Sequence, residues 1–198
     1  MTLPICIDTI RLDDGARIGM TACPGRWRMF GSIVTEPGGL ADDIERIRYW
    51  GASTLVSLME RDELSLLGIE NIGQASAQAH LTWYHCPIPD SHPPGPDFEA
   101  RWVDCLAALN TTLDRGETVV LHCLAGMGRT GTVAARLLVE RGEDPERAVS
   151  LVRGSRPGAI ENPEQERYVL EQRWRDYTTR PRPTLKRDLP ARPSRQTG

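Results

Sequence analysis

The spacing of apolar positions changes repeatedly along the chain, and each change predicts a different element. Residues 40–50 repeat apolar side chains at helical spacing, and residues 97–114 do the same over a longer stretch. Residues 53–59 and 81–88 are short apolar runs typical of buried strands, and residues 117–122 form a third run rich in β-branched side chains. Strands therefore alternate with helices, which is the order of a layered α/β fold.

Three more helices are predicted after the third strand. Residues 129–141 form the first, Pro145 opens the second, and Pro163 opens the last, which we expect to reach Tyr177. Proline suits the first turn of a helix because the N–H that it lacks has no intrahelical partner there. We therefore expect one α/β domain over residues 1–178, a three-layer sandwich whose central, mostly parallel sheet is flanked by helices.

The end of the chain has a different composition. Residues 179–198 are rich in proline, arginine, threonine and serine and contain six basic residues against one acid. Because the net charge of the whole chain is −3, the preceding residues carry −8. A segment with so few apolar residues cannot offset the entropy of ordering it, so we expect a disordered basic tail. A docking peptide for an acidic partner is the alternative.

The bulk composition excludes several classes of protein. Hydrophobic residues make up 39% and charged residues 26% of the 198, values that suit an ordinary globular domain. No stretch approaches the roughly 20 apolar residues of a membrane span, and the first residues lack the basic region of a signal peptide. An acidic body is a poor match for a nucleic-acid binder. We expect a monomeric cytoplasmic protein with neither a membrane nor a nucleic acid as partner.

The cysteines argue against a disulfide or zinc framework. The chain has five of them, an odd number, at wide spacing and without a Cys-x-x-Cys pair. A disulfide scaffold requires an even, dense set, and a structural zinc site requires ligands paired at short spacing. We therefore expect free thiols in a reducing compartment, with no metal and no cofactor.

One segment carries a pattern with chemical meaning, residues 122–131 (HCLAGMGRTG). A strand ends at Cys123, and two glycines precede Arg129, which opens a helix. A short loop of this kind directs several backbone N–H groups into one concavity and, with the helix dipole, binds an anion. We expect the phosphate to be held by the backbone of the loop, namely by Leu124, Ala125, Gly126, Met127 and Gly128.

The side chains around this nest predict a phosphatase mechanism. The field that binds the anion also stabilises a thiolate, so Cys123 is the expected nucleophile. The planar guanidinium of Arg129 can hold two phosphate oxygens at once and stabilise the transferring group. The hydroxyl of Thr130 can donate to the sulfur. A buried cysteine beside a helix-initiating arginine is the purely structural alternative.

The chain contains its own control for this motif. His85 and Cys86 also form a His-Cys pair at the end of a predicted strand. Neither glycines nor an arginine follow at the spacing seen after Cys123. The dipeptide alone therefore indicates little, whereas the full pattern in its strand-to-helix context is specific.

The leaving group needs a proton, so a general acid is expected on a nearby loop. The proline-rich segment of residues 87–97 follows the second predicted strand, and Asp90 is our first choice within it. Asp97 is the rival, but we expect it to cap the following helix. His92 is a third candidate, although a histidine on such a loop is more often a surface residue.

These residues resemble the protein tyrosine phosphatase superfamily, whose signature loop is Cys-x5-Arg-Ser/Thr. The wider match is to the small dual-specificity group, especially the kinase-associated phosphatases and their bacterial single-domain relatives. Residues 60–67 (ERDELSLL), 87–90 (PIPD) and 152–169 (VRGSRPGAIENPEQERYV) support the resemblance in order and spacing. It extends roughly over residues 23–174.

The resemblance implies a two-step, metal-free hydrolysis of phosphomonoesters. Cys123 is then the nucleophile, Arg129 binds the phosphate, and Asp90 is the acid in the first step and the base in the second. His122 would orient the loop from behind, and Thr130 would assist the leaving thiolate. Gln165 lies where some relatives place a glutamine near the attacking water. A surface glutamine on the first turn of a helix is the alternative for that position.

Several functions are compatible with this loop. A phosphorylated protein is the favoured substrate, with phosphotyrosine first and phosphoserine and phosphothreonine admitted by a shallow pocket. A hydrolase for a small-molecule, nucleotide or lipid phosphate is the alternative, although the loop lacks the lysines of lipid-phosphate members. A non-catalytic phosphate-binding adaptor and an arsenate-reductase-like thiol enzyme fit less well. Both the cysteine and the acid are present, and no other cysteine is obviously placed to resolve Cys123.

Overall fold

The computed structural model describes residues 5–29, 32–35 and 39–171, and within them the chain forms seven strands and seven helices. The strands are β1 (Ile7–Arg11), β2 (Arg17–Thr21), β3 (Arg26–Met29), β4 (Ser32–Thr35), β5 (Thr54–Ser57), β6 (Thr82–His85) and β7 (Thr118–His122). The helices are α1 (Gly39–Tyr49), α2 (Arg61–Leu66), α3 (Ile72–Gln78), α4 (Pro96–Asp114), α5 (Gly128–Glu140), α6 (Pro145–Ser155) and α7 (Pro163–Leu170).

Five of the strands form one sheet in the order β1-β2-β7-β5-β6. The four strands β2, β7, β5 and β6 run parallel to one another. The edge strand β1 is antiparallel to its neighbour β2. β3 and β4 form a separate antiparallel hairpin. The predicted mostly parallel central sheet is therefore confirmed.

The central strands are buried along their whole length, which explains their composition. Every residue of β5 (TLVS) and of β7 (TVVLH) is inaccessible to solvent. A parallel strand covered by helices on both faces reads as a nearly continuous apolar run, because it has no solvent face. α5 packs on β2 and β7 and contacts α6 and α7, while α1 contacts α3. This is the three-layer arrangement that the alternation predicted.

The sheet also determines where the motif of residues 122–131 lies in the fold. The parallel strands β5, β6 and β7 are paired in register, so that Ser57 lies between His85 and His122 at one edge. This edge is formed by the carboxyl ends of the strands, which is where ligands bind in open α/β sheets. The segments that follow β6 and β7 both start there.

Some elements differ from the sequence prediction. β1 and β2 were not predicted, and neither were α2 and α3, which lie between two predicted strands. α4 begins at Pro96 with Gly95 as its N-cap, so the expectation that Asp97 caps this helix was wrong. The fixed backbone angle of proline favours the first helical position, so Pro96 starts the helix and the cap lies two residues before Asp97, at Gly95.

Two expectations lie outside the described residues. They are the disordered tail, residues 179–198, and the extension of the last helix to Tyr177. Over the part that is described, no helix is long and apolar enough to cross a membrane.

Candidate active site

The residues that follow β7 form a tight loop around the sulfur of Cys123. Cys123 comes directly after the last residue of β7, and α5 begins five residues later, at Gly128. The backbone N–H of Gly126 donates to Cys123 Sγ at 3.2 Å. We call residues 123–127 the phosphate loop. The amide of Gly126 therefore points towards the thiol, as expected for an anion-binding nest.

The carbonyl groups of the phosphate loop are held from outside. Leu124 O accepts hydrogen bonds from the backbone N–H of Cys23 at 3.2 Å and from the guanidinium of Arg26 at 2.6 Å. Ala125 O accepts a hydrogen bond from Arg156 Nη2 at 3.0 Å. Because these partners lie outside the loop, they fix the direction of its carbonyl groups and thereby the conformation of its backbone.

Side chains at positions 126 and 128 would collide with neighbouring atoms. Gly126 has a φ of +72°, and a Cβ there would lie 2.3 Å from the carbonyl oxygen of Thr21. A Cβ at Gly128 would lie 2.3 Å from Glu161 Oε2. At Gly126 only glycine combines the positive φ with so close an approach of neighbouring backbone, whereas the collision at Gly128 is with the ends of the Glu161 and Gln165 side chains.

Arg129 lies at the start of α5 with only 2% of its side chain exposed. Its two terminal nitrogens donate to the two carboxylate oxygens of Glu63, at 2.6 and 2.9 Å, in a bidentate pair. Nη1 also donates to Ile88 O at 3.0 Å. Burial lowers the pKa of Arg129, but the hydrogen bonds to Glu63 and the charges of Cys123, Glu63 and Asp90 outweigh it and raise the pKa. The guanidinium therefore stays charged and aligned.

Asp90 lies in the loop between β6 and α4, residues 86–95, which we call the acid loop. Its Oδ1 forms an ion pair with Arg129 Nη2 at 2.9 Å, although 67% of the side chain is exposed. The rival Asp97 is exposed in the first turn of α4, and the described residues show no ion pair between it and Arg129. His92 is also exposed, and its Nδ1 lies 2.7 Å from Asp90 O. Of the three candidate acids, Asp90 is the one that meets Arg129.

His122 is fully buried behind the phosphate loop. Its Nε2 lies 2.6 Å from Ser57 Oγ, and its Nδ1 lies 3.5 Å from Cys123 O. Burial lowers the pKa of His122 to about 3, so the ring is neutral. The indole N–H of Trp83 donates to Ser57 Oγ at 2.8 Å, which leaves the serine hydroxyl free to donate to Nε2. This network assigns the proton to Nδ1, where it faces the carbonyl of Cys123.

Thr130 and Gln165 are both buried at the site. The hydroxyl of Thr130 has no hydrogen-bond partner within the described part of the chain, so the expected bond to the sulfur is not formed. Gln165 is inaccessible, which contradicts the alternative of a surface glutamine. Its Oε1 accepts a hydrogen bond from the backbone N–H of Glu161 at 3.0 Å, and its Nε2 lies 3.4 Å from His92 O. Gln165 therefore touches the acid loop.

The other cysteines lack the setting of Cys123. Burial raises the pKa of the Cys23 thiol, and a negative charge on nearby Cys123 raises it further, so Cys23 is a neutral thiol. Cys86 and Cys105 are buried and share a hydrogen bond that raises the pKa of Cys105. Cys6 is exposed. All five are free thiols, as the spacing predicted.

Sequence reasoning missed the side chains that hold the predicted residues in place. Glu63 lies within a segment that carried the family resemblance, but its pairing with Arg129 spans 66 positions of sequence. Ser57 and Asn162 lie 65 and 71 positions from the residues they touch, and Arg156 lies 31 positions from Ala125. A polar residue in an otherwise apolar strand, as at Ser57, was the one available signal.

The arrangement joins three chemical functions in one site. The thiol of Cys123 accepts a backbone N–H, a charged guanidinium lies close to it, and a carboxylate reaches the same guanidinium from a proline-rich loop. Such a site can bind a tetrahedral oxyanion, attack its central atom and deliver a proton to a departing oxygen.

Similarity to known proteins covers the same residues. A family model described as "Tc-R-P: Polymorphic toxin system, DSP-PTPase phosphatase" matches residues 34–143, more than half of the chain. Cyclin-dependent kinase inhibitor 3 from Rattus norvegicus is 31% identical over 132 residues, which are 65% of this chain and 61% of the relative. Protein tyrosine phosphatase type IVA 3 from Mus musculus is 32% identical over 141 residues, covering 69% and 75%.

A solved structure shows the same architecture. The crystal structure of kinase-associated phosphatase, carrying serine for its catalytic-site cysteine, superimposes with a TM-score of 0.72. It is 26% identical, and the match covers 85% of this chain and 94% of that one. The chain spans about three fifths of the length of the cyclin-dependent kinase inhibitor 3 relatives that it matches.

Proposed function

We propose that this chain, which belongs to the dual-specificity group of the protein tyrosine phosphatase superfamily, is a cysteine-dependent protein phosphatase. The observation that carries the proposal is that a thiol, a guanidinium and a carboxylate lie together in one site. The phosphate loop directs the N–H of Gly126 at Cys123 Sγ, Arg129 opens the next helix, and Asp90 pairs with Arg129 from the acid loop.

In the first step the thiolate of Cys123 attacks phosphorus, and the bond to the leaving oxygen breaks. Phosphate oxygens bind to the amides of the phosphate loop and to Arg129, where the charge of the transferring group is stabilised. Asp90 gives its proton to the leaving oxygen. The products of this step are a cysteinyl-phosphate and a free hydroxyl group on the substrate.

In the second step water attacks the phosphorus of the cysteinyl-phosphate. Asp90, now ionised, takes a proton from this water, and Gln165 helps to place it. The sulfur leaves as a thiolate, and Thr130 donates its hydroxyl to that sulfur. Its buried hydroxyl has no other described partner, which leaves it available for this contact.

The proposed substrate is a phosphorylated protein, with phosphotyrosine first and phosphoserine and phosphothreonine as further substrates. The similar proteins, a protein tyrosine phosphatase and a kinase-associated phosphatase, support this class. We further propose that the enzyme acts as a monomer. We also propose that it acts in the cytoplasm, because its five free thiols suit a reducing compartment.

The decisive experiment is hydrolysis of para-nitrophenyl phosphate in EDTA and a reductant. We expect the wild type to turn over, Cys123→Ser to be inactive and Asp90→Ala to lose about 10²–10⁴-fold in kcat. Cys6→Ser is the matched control, because Cys6 is an exposed thiol far along the chain from the loop, and it should keep full activity. Activity that survives in Cys123→Ser would overturn the mechanism.

The substrate class needs a separate comparison. Phosphotyrosine, phosphothreonine and phosphoserine peptides of one sequence should be hydrolysed in that order of kcat/KM. If a nucleotide monophosphate or a phosphoinositide is hydrolysed faster than every peptide, the protein phosphatase proposal is wrong. The small-molecule or lipid alternative is then favoured.

A further inference from the structure

The acid loop is tied to the start of α7 by hydrogen bonds that the proposed chemistry does not use. Asn162 Nδ2 donates to Ser91 O at 2.9 Å, and Gln165 Nε2 lies 3.4 Å from His92 O. Ser91 directly follows Asp90 in the chain. The shorter of these contacts therefore acts on the residue beside the proposed acid.

The oxygen of the Asn162 side-chain amide is held as well. Asn162 is the N-cap of α7, and its Oδ1 accepts a hydrogen bond from Gln165 N at 2.9 Å. α7 is anchored in turn, because Glu166 pairs with Arg153 at 3.0 Å and Tyr168 bonds to Arg136 at 2.6 Å. The amide of Asn162 thus links an exposed loop to a well-anchored helix.

The acid loop needs such a link. Ser91 has a φ of +62°, a conformation that a residue other than glycine keeps only when its surroundings hold it. Asp90 is mostly exposed and reaches Arg129 through a single contact at 2.9 Å. An exposed ion pair alone holds a loop weakly, because water and salt compete with it.

We propose that Asn162 is a positioning residue that holds the acid loop in the position in which Asp90 reaches Arg129. The inference rests on the proposed function, since it matters for catalysis only if Asp90 is the general acid. Asn162 acts through Ser91 and Asp90 and does not touch the reacting atoms.

Two variants separate this role from helix capping. Asn162→Asp keeps an oxygen that can cap α7 but loses the N–H that donates to Ser91 O. Asn162→Ala loses both. If the link to the loop matters, the two variants behave alike; if only the cap matters, Asn162→Asp behaves as the wild type and the proposal is overturned. Asp144→Ala, which removes the cap of α6, controls for the general effect of losing a cap.

The readout is the dependence of kcat on the leaving group. Loss of general-acid catalysis slows poor leaving groups more than good ones, so Asn162→Asp should slow phenyl phosphate by about three- to tenfold and dinitrophenyl phosphate little. Adding Asn162→Asp to Asp90→Ala should cause no further loss, because the two residues act in sequence. Equal losses on both substrates, or a full further loss in the double variant, would refute the positioning role.

Hydrogen–deuterium exchange tests the link without any activity. Amides of residues 86–95 should exchange faster in Asn162→Asp than in the wild type and in Asp144→Ala. Unchanged exchange would overturn the proposal even in an active enzyme. Faster exchange in a protein that hydrolyses no phosphomonoester would uphold the link and reject the proposed function instead.

Discussion

At the scale of single residues, Arg129 depends on a partner that the sequence did not reveal. Glu63 meets its guanidinium with both carboxylate oxygens, at 2.6 and 2.9 Å, and is itself held by the backbone N–H of Glu60 at 2.7 Å. A guanidinium that is held along one edge in this way can bind a phosphate with its other edge, and little further side-chain entropy is lost on binding.

Removing one charge from this pair tests its role. Glu63→Gln should raise both KM for para-nitrophenyl phosphate and the inhibition constant of vanadate by about tenfold, because a hydrogen bond to a charged group is worth about 1.5–3 kcal/mol. Asp62→Asn, at an exposed acid next in the chain, is the control and should change neither constant. Steady-state kinetics with vanadate competition gives both values, and an unchanged inhibition constant would contradict the role.

His122 makes stability depend on pH. Its folded-state pKa of about 3 lies below the ordinary value of 6.5, so its contribution is fully present above pH 6.5. As the pH falls from 6.5 towards 3, the unfolded chain binds a proton that the buried ring does not, and the free energy of unfolding decreases. By pH 5 the expected loss from this group is about 2 kcal/mol.

Urea unfolding at pH 7.5 and pH 5 measures this loss. Between these two values, His122→Asn should lose about 2 kcal/mol less unfolding free energy than the wild type, because its side chain does not titrate. His80→Asn is the control, since His80 is exposed and asparagine tolerates its φ of 59°. An equal pH dependence in the wild type and His122→Asn would show that His122 is not the group responsible.

At the scale of elements, the turn between β7 and α5 depends on one backbone conformation. Gly126→Ala places a Cβ at 2.3 Å from the carbonyl oxygen of Thr21 on β2, and its φ of +72° adds strain. We expect a loss of about 1–3 kcal/mol of stability and near-complete loss of kcat, because the phosphate loop must move.

The variant Gly68→Ala separates the effect of backbone strain from that of a steric clash. Gly68 has a similar φ of +64°, but no atom lies within 4 Å of the Cβ position. This variant should cost about 1 kcal/mol and keep full activity. Thermal unfolding together with kcat tests both variants, and an active Gly126→Ala would mean that the loop tolerates the shift.

At the scale of the whole molecule, the phosphate loop is held by residues from both ends of the described chain. Arg156 donates to Ala125 O at 3.0 Å and forms an ion pair with Asp8 on the edge strand β1. A contact between residues 8 and 156 cannot be predicted from local spacing, because only the folded sheet brings β1 beside the end of α6.

This long-range pair predicts a coupled response. Arg156→Gln should lower kcat at least tenfold, because Ala125 O loses a charged donor. Asp8→Asn alone should lower it less than threefold, since Arg156 still reaches the loop, and should have no further effect in the Arg156→Gln background. Asp42→Asn, at an exposed acid of α1, is the control. Additive losses in a double-mutant cycle would contradict the coupling.

The family, the sheet of mainly parallel strands and the helices α4 to α7 could be predicted because they depend on local patterns. The residues of the phosphate loop follow one another in the sequence, so their spacing alone predicts a strand, a nest and a helix. β1 and β2 escaped prediction because they lack the long apolar run of a central strand. The place of β2 is decided by its pairing with β7, and that of β1 by its pairing with β2.

The sequence by itself determined which residues are the candidates for catalysis, whereas only the tertiary structure decided how they are held. Cys123, Arg129 and Asp90 were identified from motif and loop composition, and their catalytic roles stay predictions. Glu63, Ser57 and Asn162 were not identified, because each contacts a residue more than 60 positions away. Chain spacing encodes local geometry, but the orientation of a buried polar group depends on what the fold packs against it.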